Sequence, residues 1–120
     1  MLKKKFKDKN FTYIPTQYNI PSDADYFHCT SNNTIFGTQI KEFYNGTVPL
    51  ACDMSSDIFS RKTDIQNFDL IYAGAQKNMG PAGTTLYIFN KDILGKSSVS
   101  IPTMLNLKTH SEKDSMFNTP

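Results

Sequence analysis

Short apolar runs that are typical of β-strands recur along this chain, and several are nearly continuous rather than alternating. Strands with apolar residues on both faces belong to α/β sheets, in which helices cover the two sides. The predicted strands span residues 11–14, 26–29, 48–52, 70–73 and 84–89. The pattern therefore favours an α/β fold.

Helical patterns are scarce beside these strands. A weakly amphipathic stretch covers residues 34–44, and short helical turns are predicted over 57–60 and 91–94. Three short segments are too few to cover both faces of such a sheet. We therefore expect residues 1–120 to form one incomplete α/β domain, a piece of a larger one, with no second domain present.

The charge and hydropathy of the chain argue against several kinds of partner. The net charge is only +2, with much of the basic excess in residues 3–9, so we expect no nucleic-acid partner. The apolar runs are too short for a membrane-spanning helix, so we expect no membrane partner. The first residues lack the apolar core of a secretion signal and the arginines of a mitochondrial presequence, which indicates a cytoplasmic protein.

The cysteines and histidines give no sign of a metal site. Cys29 and Cys52 are the only cysteines, and neither has a second thiol nearby in the sequence. Without a secretion signal, they are predicted to be reduced, packed side chains. His28 and His110 have no Cys or His neighbour at metal-ligand spacing, so we expect no metal.

Polar side chains follow three of the predicted strands. The carboxyl ends of strands in an α/β sheet are where ligands bind, because the loops converge there. Spacing alone leaves two interpretations open: one shared site, or three independent polar loops. The residues concerned are Ser31, Asn32, Asn33 and Thr34 after one strand, Asp53, Ser55 and Ser56 after the next, and Gln76, Lys77 and Asn78 after a third.

An aspartate and a lysine at neighbouring strand ends fit the chemistry of pyridoxal 5′-phosphate. That cofactor needs an amine to bind its aldehyde covalently and a carboxylate to keep its ring nitrogen protonated. The stretch between Asp53 and Lys77 is about the length of one strand-to-strand crossover. Lys77 also lies where a lysine is uncommon, between an apolar strand and a turn rich in glycine and proline.

The segment ACDMSSDIFSRKTDIQNFDLIYAGAQKNMGPAGTTLYIFNKDILGK resembles the phosphoserine aminotransferase family of class V, fold type I aminotransferases. The upstream TSNNTIFGTQ and the terminal DSMFNTP resemble the same family in the same order. The resemblance covers most of residues 23–120, and AGAQKNMGPAG is a long motif. It implies a partial fold type I large domain, with a mostly parallel sheet and helices, that binds pyridoxal 5′-phosphate.

Four residues acquire cofactor roles from this resemblance. Lys77 matches the catalytic lysine that binds the cofactor covalently and then acts as general base. Asp53 matches the carboxylate that faces the pyridinium nitrogen. Thr34 and Gln76 match positions that contact the cofactor.

The end of the chain acquires a role in the neighbouring subunit. Asn118 and Thr119 match an Asn-Thr pair that reaches the partner's cofactor phosphate, which implies a homodimer with shared active sites. The implied reaction transfers the amino group of glutamate to 3-phosphohydroxypyruvate, giving phosphoserine and 2-oxoglutarate in serine biosynthesis. The alternatives are another class V enzyme, such as a cysteine desulfurase or a different transaminase, and an inactive truncated remnant.

The chain also departs from the family pattern. It has no Trp to stack on the cofactor ring, and Arg61 is its only arginine, so a separate substrate-binding arginine is missing. Cys52 stands where a small apolar residue is expected before Asp53. The family's glycine-rich start, phosphate-binding loop and small C-terminal domain have no counterpart here. We therefore expect an internal third of the enzyme that is inactive alone.

Overall fold

The computed structural model describes residues 13–97 and 99–117. The chain forms two compact units, Met1–Phe89 and Asn90–Pro120. The first unit holds the sheet, and its strands are β1 Phe27–Thr30, β2 Asn32–Asn33, β3 Thr38–Gln39, β4 Leu50–Asp53, β5 Leu70–Gly74 and β6 Thr85–Phe89.

The main sheet has four strands in the order β1-β4-β5-β6. The strands β1, β4 and β5 are parallel to one another, and β6 is antiparallel to β5. The mostly parallel sheet that the family resemblance implied is therefore confirmed, with one antiparallel strand at its edge. β2 and β3 form a separate antiparallel hairpin directly after β1.

Four of the five predicted strands are confirmed, with ends that differ by at most two residues. The strand predicted over 11–14 is wrong where the structure describes it, because Tyr13 and Ile14 belong to no strand. Residues 11 and 12 lie outside the described part of the chain. The confirmed strands are those whose apolar side chains enter the core.

The helix predicted over residues 34–44 is wrong, because this stretch contains the turn of the β2–β3 hairpin. The Asn33 side-chain oxygen accepts hydrogen bonds from the Ile35 and Phe36 amides, each at 3.2 Å. Gly37 closes the turn with φ at +66°, a conformation that glycine adopts without strain. An asparagine that bonds to the following backbone competes with helix formation, and here the turn is formed instead.

The remaining helical predictions have mixed outcomes. Residues 57–60 form hydrogen-bonded turns rather than a helix, with the Ile58 amide donating to the Met54 carbonyl at 2.9 Å. The turn predicted over 91–94 is confirmed as a 3-10 helix, Lys91–Ile93. Two further 3-10 helices, Ile65–Asn67 and Thr103–Leu105, were not predicted.

The second unit also contains one short α-helix, α1 Leu107–Glu112, which was not predicted. Asn106 begins it by accepting a hydrogen bond from the Lys108 amide at 3.0 Å. A single asparagine cap before a polar six-residue segment is a weak signal in the sequence. Within the described residues, no helix is long and apolar enough to cross a membrane.

The core lies on one face of the main sheet. Side chains alternate between the faces along each strand, and residues that are opposite each other in register share a face. The core face carries buried apolar side chains that pack with residues from the following loops. Its buried members are Leu50, Cys52, Met54, Ile58, Phe68, Ile71 and Ala73.

The other face of the sheet is polar and partly open, which differs from the expected burial of both faces. Thr30, Asp53, Tyr72 and Tyr87 lie opposite one another across the four strands. Tyr87 is 47% exposed and Asp53 is half-buried. We call this surface the open face.

The two cysteines, which are far apart in the sequence, are neighbours in the sheet. Cys29 on β1 lies opposite Cys52 on β4, and both thiols are free. Both cysteines are therefore unbridged, as predicted, although they are close in space and 23 residues apart in the sequence. The parallel pairing of β1 with β4 places the two cysteines side by side. No local pattern in the sequence shows the register of that pairing.

Candidate functional site

The loops that follow β1 and β4 are joined by a pair of side-chain hydrogen bonds. The Asn32 amide nitrogen donates to the Ser56 hydroxyl at 3.0 Å, and that hydroxyl donates to the Asn32 carbonyl at 3.1 Å. The two loops therefore meet at the carboxyl edge of the sheet, as a shared site requires.

The loop after β4 is joined to the end of β5 in turn. The Met54 amide donates to the Tyr72 carbonyl at 2.9 Å and continues the pairing of the two strands. Beyond that point the strands diverge, and the Ser55 hydroxyl accepts from the Gly74 amide at 3.0 Å. Of the two interpretations that the spacing left open, this geometry supports a single connected edge.

Asp53 ends β4 on the open face. One of its carboxylate oxygens, Oδ1, accepts a hydrogen bond from the Ser55 amide at 2.9 Å. This bond fixes the carboxylate at the point where β4 turns into its loop. The carboxylate is half-buried and lies opposite Thr30 on one side and Tyr72 on the other.

Lys77 lies in a tight turn after β5. The Met79 and Gly80 amides both donate to the Ala75 carbonyl, at 3.0 and 2.9 Å, and close the turn around the lysine. The Lys77 side chain is exposed, and no hydrogen-bond or ion-pair partner for its amine occurs among residues 13–97 and 99–117. The amine is therefore available to a ligand at this edge.

Gln76 folds back onto the end of β5. A Cβ built on Gly74 would lie 2.6 Å from Gln76 Oε1, so the Gln76 amide occupies the space that a side chain at Gly74 would take. Gly74 shares the face of Tyr72, two residues earlier on the same strand. The structure therefore brings Gln76 to the face that carries Asp53.

The structure places the remaining residues predicted for the site in different ways. Thr34 is exposed in the turn of the β2–β3 hairpin, beyond the Asn32–Ser56 link. Asn118 and Thr119 lie outside the described residues, so their predicted role is not placed. Asn78, another residue of the strand-end set, donates its side-chain amide to the Ile58 carbonyl at 2.8 Å.

Asp57 is a buried carboxylate at this edge that the sequence did not single out. It accepts hydrogen bonds from the Ser31 hydroxyl and, at 3.0 Å, from the Gln39 side-chain amide. Arg61 lies 3.7 Å from its second oxygen and also donates to the Ile40 carbonyl at 2.5 Å. The only arginine of the chain thus joins the β4 loop to the hairpin.

A second pair that the sequence did not single out lies on the open face. From the sequence His28 is only a lone histidine, yet its Nε2 atom lies 3.0 Å from the Tyr72 hydroxyl. Burial raises the pKa of Tyr72, and the nearby Asp53 carboxylate raises it further. The sequence signal for this pair is a polar or aromatic residue inside an otherwise apolar strand, namely His28 in β1 and Tyr72 in β5.

Two other features of the described residues bear on the site. No group of three or more His, Cys, Asp or Glu side chains that could hold a metal ion occurs there. A cavity of about 660 Å³ lies between the segment 13–20, β1 and the hairpin. Thr30, Asn32 and Thr34 line this cavity, whereas Asp53 and Lys77 do not.

Comparison with known proteins gives a consistent picture. Residues 4–120 match the family described as Aminotransferase class-V. The chain is 66% identical over 114 residues to the phosphoserine aminotransferase of Flavobacterium johnsoniae, covering 95% of this chain and 32% of that protein.

Solved structures agree with the sequence comparison. One, from a study of radiation damage to the Schiff base in phosphoserine aminotransferase, matches with a TM-score of 0.85 and 46% identity over 92% of this chain and 31% of its own. Another is the PLP-bound phosphoserine aminotransferase of Trichomonas vaginalis, with a TM-score of 0.84 and 32% identity over 94% of this chain and 34% of its own. The chain spans about a third of the length of these relatives.

Proposed function

Because this chain belongs to the class V aminotransferase family, we propose that it forms part of a phosphoserine aminotransferase. The activity is transfer of the amino group of glutamate to 3-phosphohydroxypyruvate, which gives phosphoserine and 2-oxoglutarate for serine biosynthesis. Support comes from 66% identity to a phosphoserine aminotransferase and from the TM-score of 0.85 to a solved one. All 120 residues are proposed to belong to the cofactor-binding domain of a cytoplasmic enzyme.

The side chains at the carboxyl edge of the sheet fit pyridoxal 5′-phosphate. Asp53 supplies a carboxylate fixed by the Ser55 amide, and Lys77 supplies an amine without a protein partner among the described residues. Gln76 adds an amide on the face of Asp53. When bound, the cofactor supplies an electron-withdrawing ring that makes the Cα–H bond of an amino acid acidic.

Individual side chains of the chain are assigned the other roles in binding and proton transfer. Lys77 would hold the cofactor through its amine and would serve as general base for the substrate's Cα proton. Asp53 would face the pyridine nitrogen, where a carboxylate favours the protonated ring. Thr34 and Gln76 contribute a hydroxyl and an amide that orient the cofactor.

The end of the chain is proposed to act in the partner of a homodimer. Asn118 and Thr119 supply neutral donors, an amide and a hydroxyl, to the cofactor phosphate of the neighbouring subunit. This arrangement makes cofactor binding depend on dimerisation. The assignment of Asn118 and Thr119 rests on the terminal sequence motif DSMFNTP.

One observation carries the proposal: the unpartnered Lys77 amine lies on the same hydrogen-bonded edge as the fixed Asp53 carboxylate. Lys77→Ala in the complete protein that carries residues 1–120 should lower turnover of glutamate and 3-phosphohydroxypyruvate at least about 10²–10⁴-fold. Lys62→Ala is the matched control, because Lys62 is also exposed and follows the β4 loop.

A covalent label separates this assignment from a nonspecific loss of activity. Borohydride reduction of the cofactor-loaded protein should fix pyridoxal 5′-phosphate to the peptide containing Lys77, as read by mass spectrometry. Near-normal turnover by Lys77→Ala, or a label on another lysine, contradicts the proposal. Turnover of cysteine instead of glutamate would favour a class V desulfurase.

A further inference from the structure

Two aromatic side chains connect β5 to β1 across the open face. The Tyr72 hydroxyl lies 3.0 Å from His28 Nε2, and the ring centroids are 6.0 Å apart with planes at 24°. Between them lies β4, where Ala51 is opposite His28 on the same face. A methyl side chain at this position leaves room for the tyrosine to reach across a strand.

Tyr72 is also the residue of β5 directly opposite Asp53. Burial and the Asp53 carboxylate both raise the pKa of Tyr72, so the phenol keeps its proton at neutral pH. The other titratable groups near the phenol are His28 on β1, Tyr87 on β6, with its ring centroid 6.5 Å away, and Cys52 on the core face. Asp53 carries the only carboxyl group beside the phenol among these residues.

The directions of the hydrogen bonds follow from this arrangement. A tyrosine hydroxyl has one proton to donate and can also accept. If His28 Nε2 carries the proton and donates to the phenol oxygen, the phenol proton is free to point at Asp53. Asp53 Oδ1 already accepts from the Ser55 amide, so a second donor would leave its carboxylate with a fixed orientation.

We propose that Tyr72 is a positioning residue for Asp53, and that His28 sets the direction of the Tyr72 hydroxyl. The inference rests on the proposed function, in which Asp53 holds a proton on the cofactor's ring nitrogen. A donor to the carboxylate favours its ionised form, and a fixed ionised carboxylate keeps that ring nitrogen protonated.

The test uses the complete protein loaded with pyridoxal 5′-phosphate that carries ¹⁵N in the ring. Tyr72→Phe removes the hydroxyl and keeps the ring. The ring-nitrogen resonance should titrate at a lower pH than in the wild type, and cofactor affinity should fall about tenfold. Tyr87→Phe is the matched control. It removes a tyrosine hydroxyl from the same face of the sheet, but Tyr87 does not lie between His28 and Asp53.

A pair of histidine variants tests the direction of the hydrogen bonds. His28→Gln keeps a nitrogen donor near the position of Nε2 and should titrate like the wild type. His28→Leu should move the titration in the same direction as Tyr72→Phe. If Tyr72→Phe does not fold, the two histidine variants test the inference by themselves. A wild-type titration of the ring nitrogen in His28→Gln, with a shifted one in His28→Leu, supports the inference. The same titration in both variants overturns it.

The remaining outcomes separate the inference from the proposed function. If the wild type carries the cofactor on Lys77 and Tyr72→Phe titrates with the wild type, the inference is overturned and the proposed function stands. If the wild type binds no labelled cofactor, both are overturned.

Discussion

Cys29 and Cys52 lie directly opposite each other on β1 and β4, with their sulfur atoms 3.6 Å apart. The hydrogen bond with Cys52 lowers the pKa of the Cys29 thiol. The same contact raises the pKa of Cys52, and burial raises it further. Cys52 is fully buried, whereas Cys29 is half-buried and lines the cavity beside β1.

This asymmetry predicts that Cys29 reacts with iodoacetamide well before Cys52 in the folded protein. The thiolate is the nucleophile, so a lowered pKa means that Cys29 reacts at a lower pH than an ordinary thiol. Peptide masses after timed alkylation give the two rates. Cys52→Ala removes the hydrogen bond and should slow Cys29, and in denaturant the two thiols should react alike. Faster labelling of Cys52 would contradict the prediction.

Asp53→Asn should impair the cofactor's ring nitrogen without disturbing the loop. Asparagine keeps an oxygen that can accept from the Ser55 amide, but it loses the negative charge. A charge-assisted hydrogen bond contributes about 1.5–3 kcal/mol, so turnover should fall roughly 10- to 100-fold. Labelling of Lys77 after borohydride reduction should persist. A variant with wild-type turnover and ring-nitrogen titration would make Asp53 an ordinary loop residue.

Asp57→Asn should destabilise the carboxyl edge of the sheet. The buried carboxylate accepts from Ser31 and Gln39 and pairs with Arg61, and an amide of equal size cannot satisfy all three donors. We expect a loss of about 2–3 kcal/mol in the free energy of unfolding, measured by urea denaturation of the complete protein. Asp23→Asn, at an exposed position, should change it by less than about 0.5 kcal/mol. Equal midpoints for the two variants would refute a structural role for Asp57.

The proposed role of Asn118 and Thr119 predicts complementation between subunits. Lys77→Ala and the double variant Asn118→Ala, Thr119→Ala should each be weak or inactive as homodimers. In a mixed dimer, the subunit with intact Lys77 receives an intact tail from its partner, so one site of two should recover. Native mass spectrometry confirms mixing. A confirmed mixed dimer without activity would place the tail in its own subunit's site.

Residues 1–120 alone should fold poorly. The main sheet has a packed core on one face only, and the open face leaves Tyr87 and other apolar area in water at about 25 cal/mol per Å². Ordering each residue costs about 1–2 kcal/mol of backbone entropy, which leaves little net stability. Circular dichroism during urea titration measures the outcome. A cooperative unfolding transition of the monomer would show this expectation to be wrong.

The sequence alone predicted most of the sheet and the placement of Asp53 and Lys77 at strand ends. Apolar runs and the glycine-rich turn are local patterns, and local patterns determine where a strand starts and stops. The motif around Lys77 also predicted the family. The helix predicted over 34–44 was wrong because side-chain hydrogen bonds outweigh a weak helical pattern. Asn33 bonds within the hairpin. Asn32 and Gln39 bond from the hairpin to Ser56 and Asp57 in the β4 loop.

Only the tertiary structure decided which side chains face one another. Tyr72 meets Asp53 and His28, and Cys29 meets Cys52, because β1, β4 and β5 pair in one particular register. Asp57 became a buried acceptor because the hairpin and the β4 loop close over it. Register and burial depend on contacts between residues that are distant in the chain, and a shift of one residue would reverse every face of a strand.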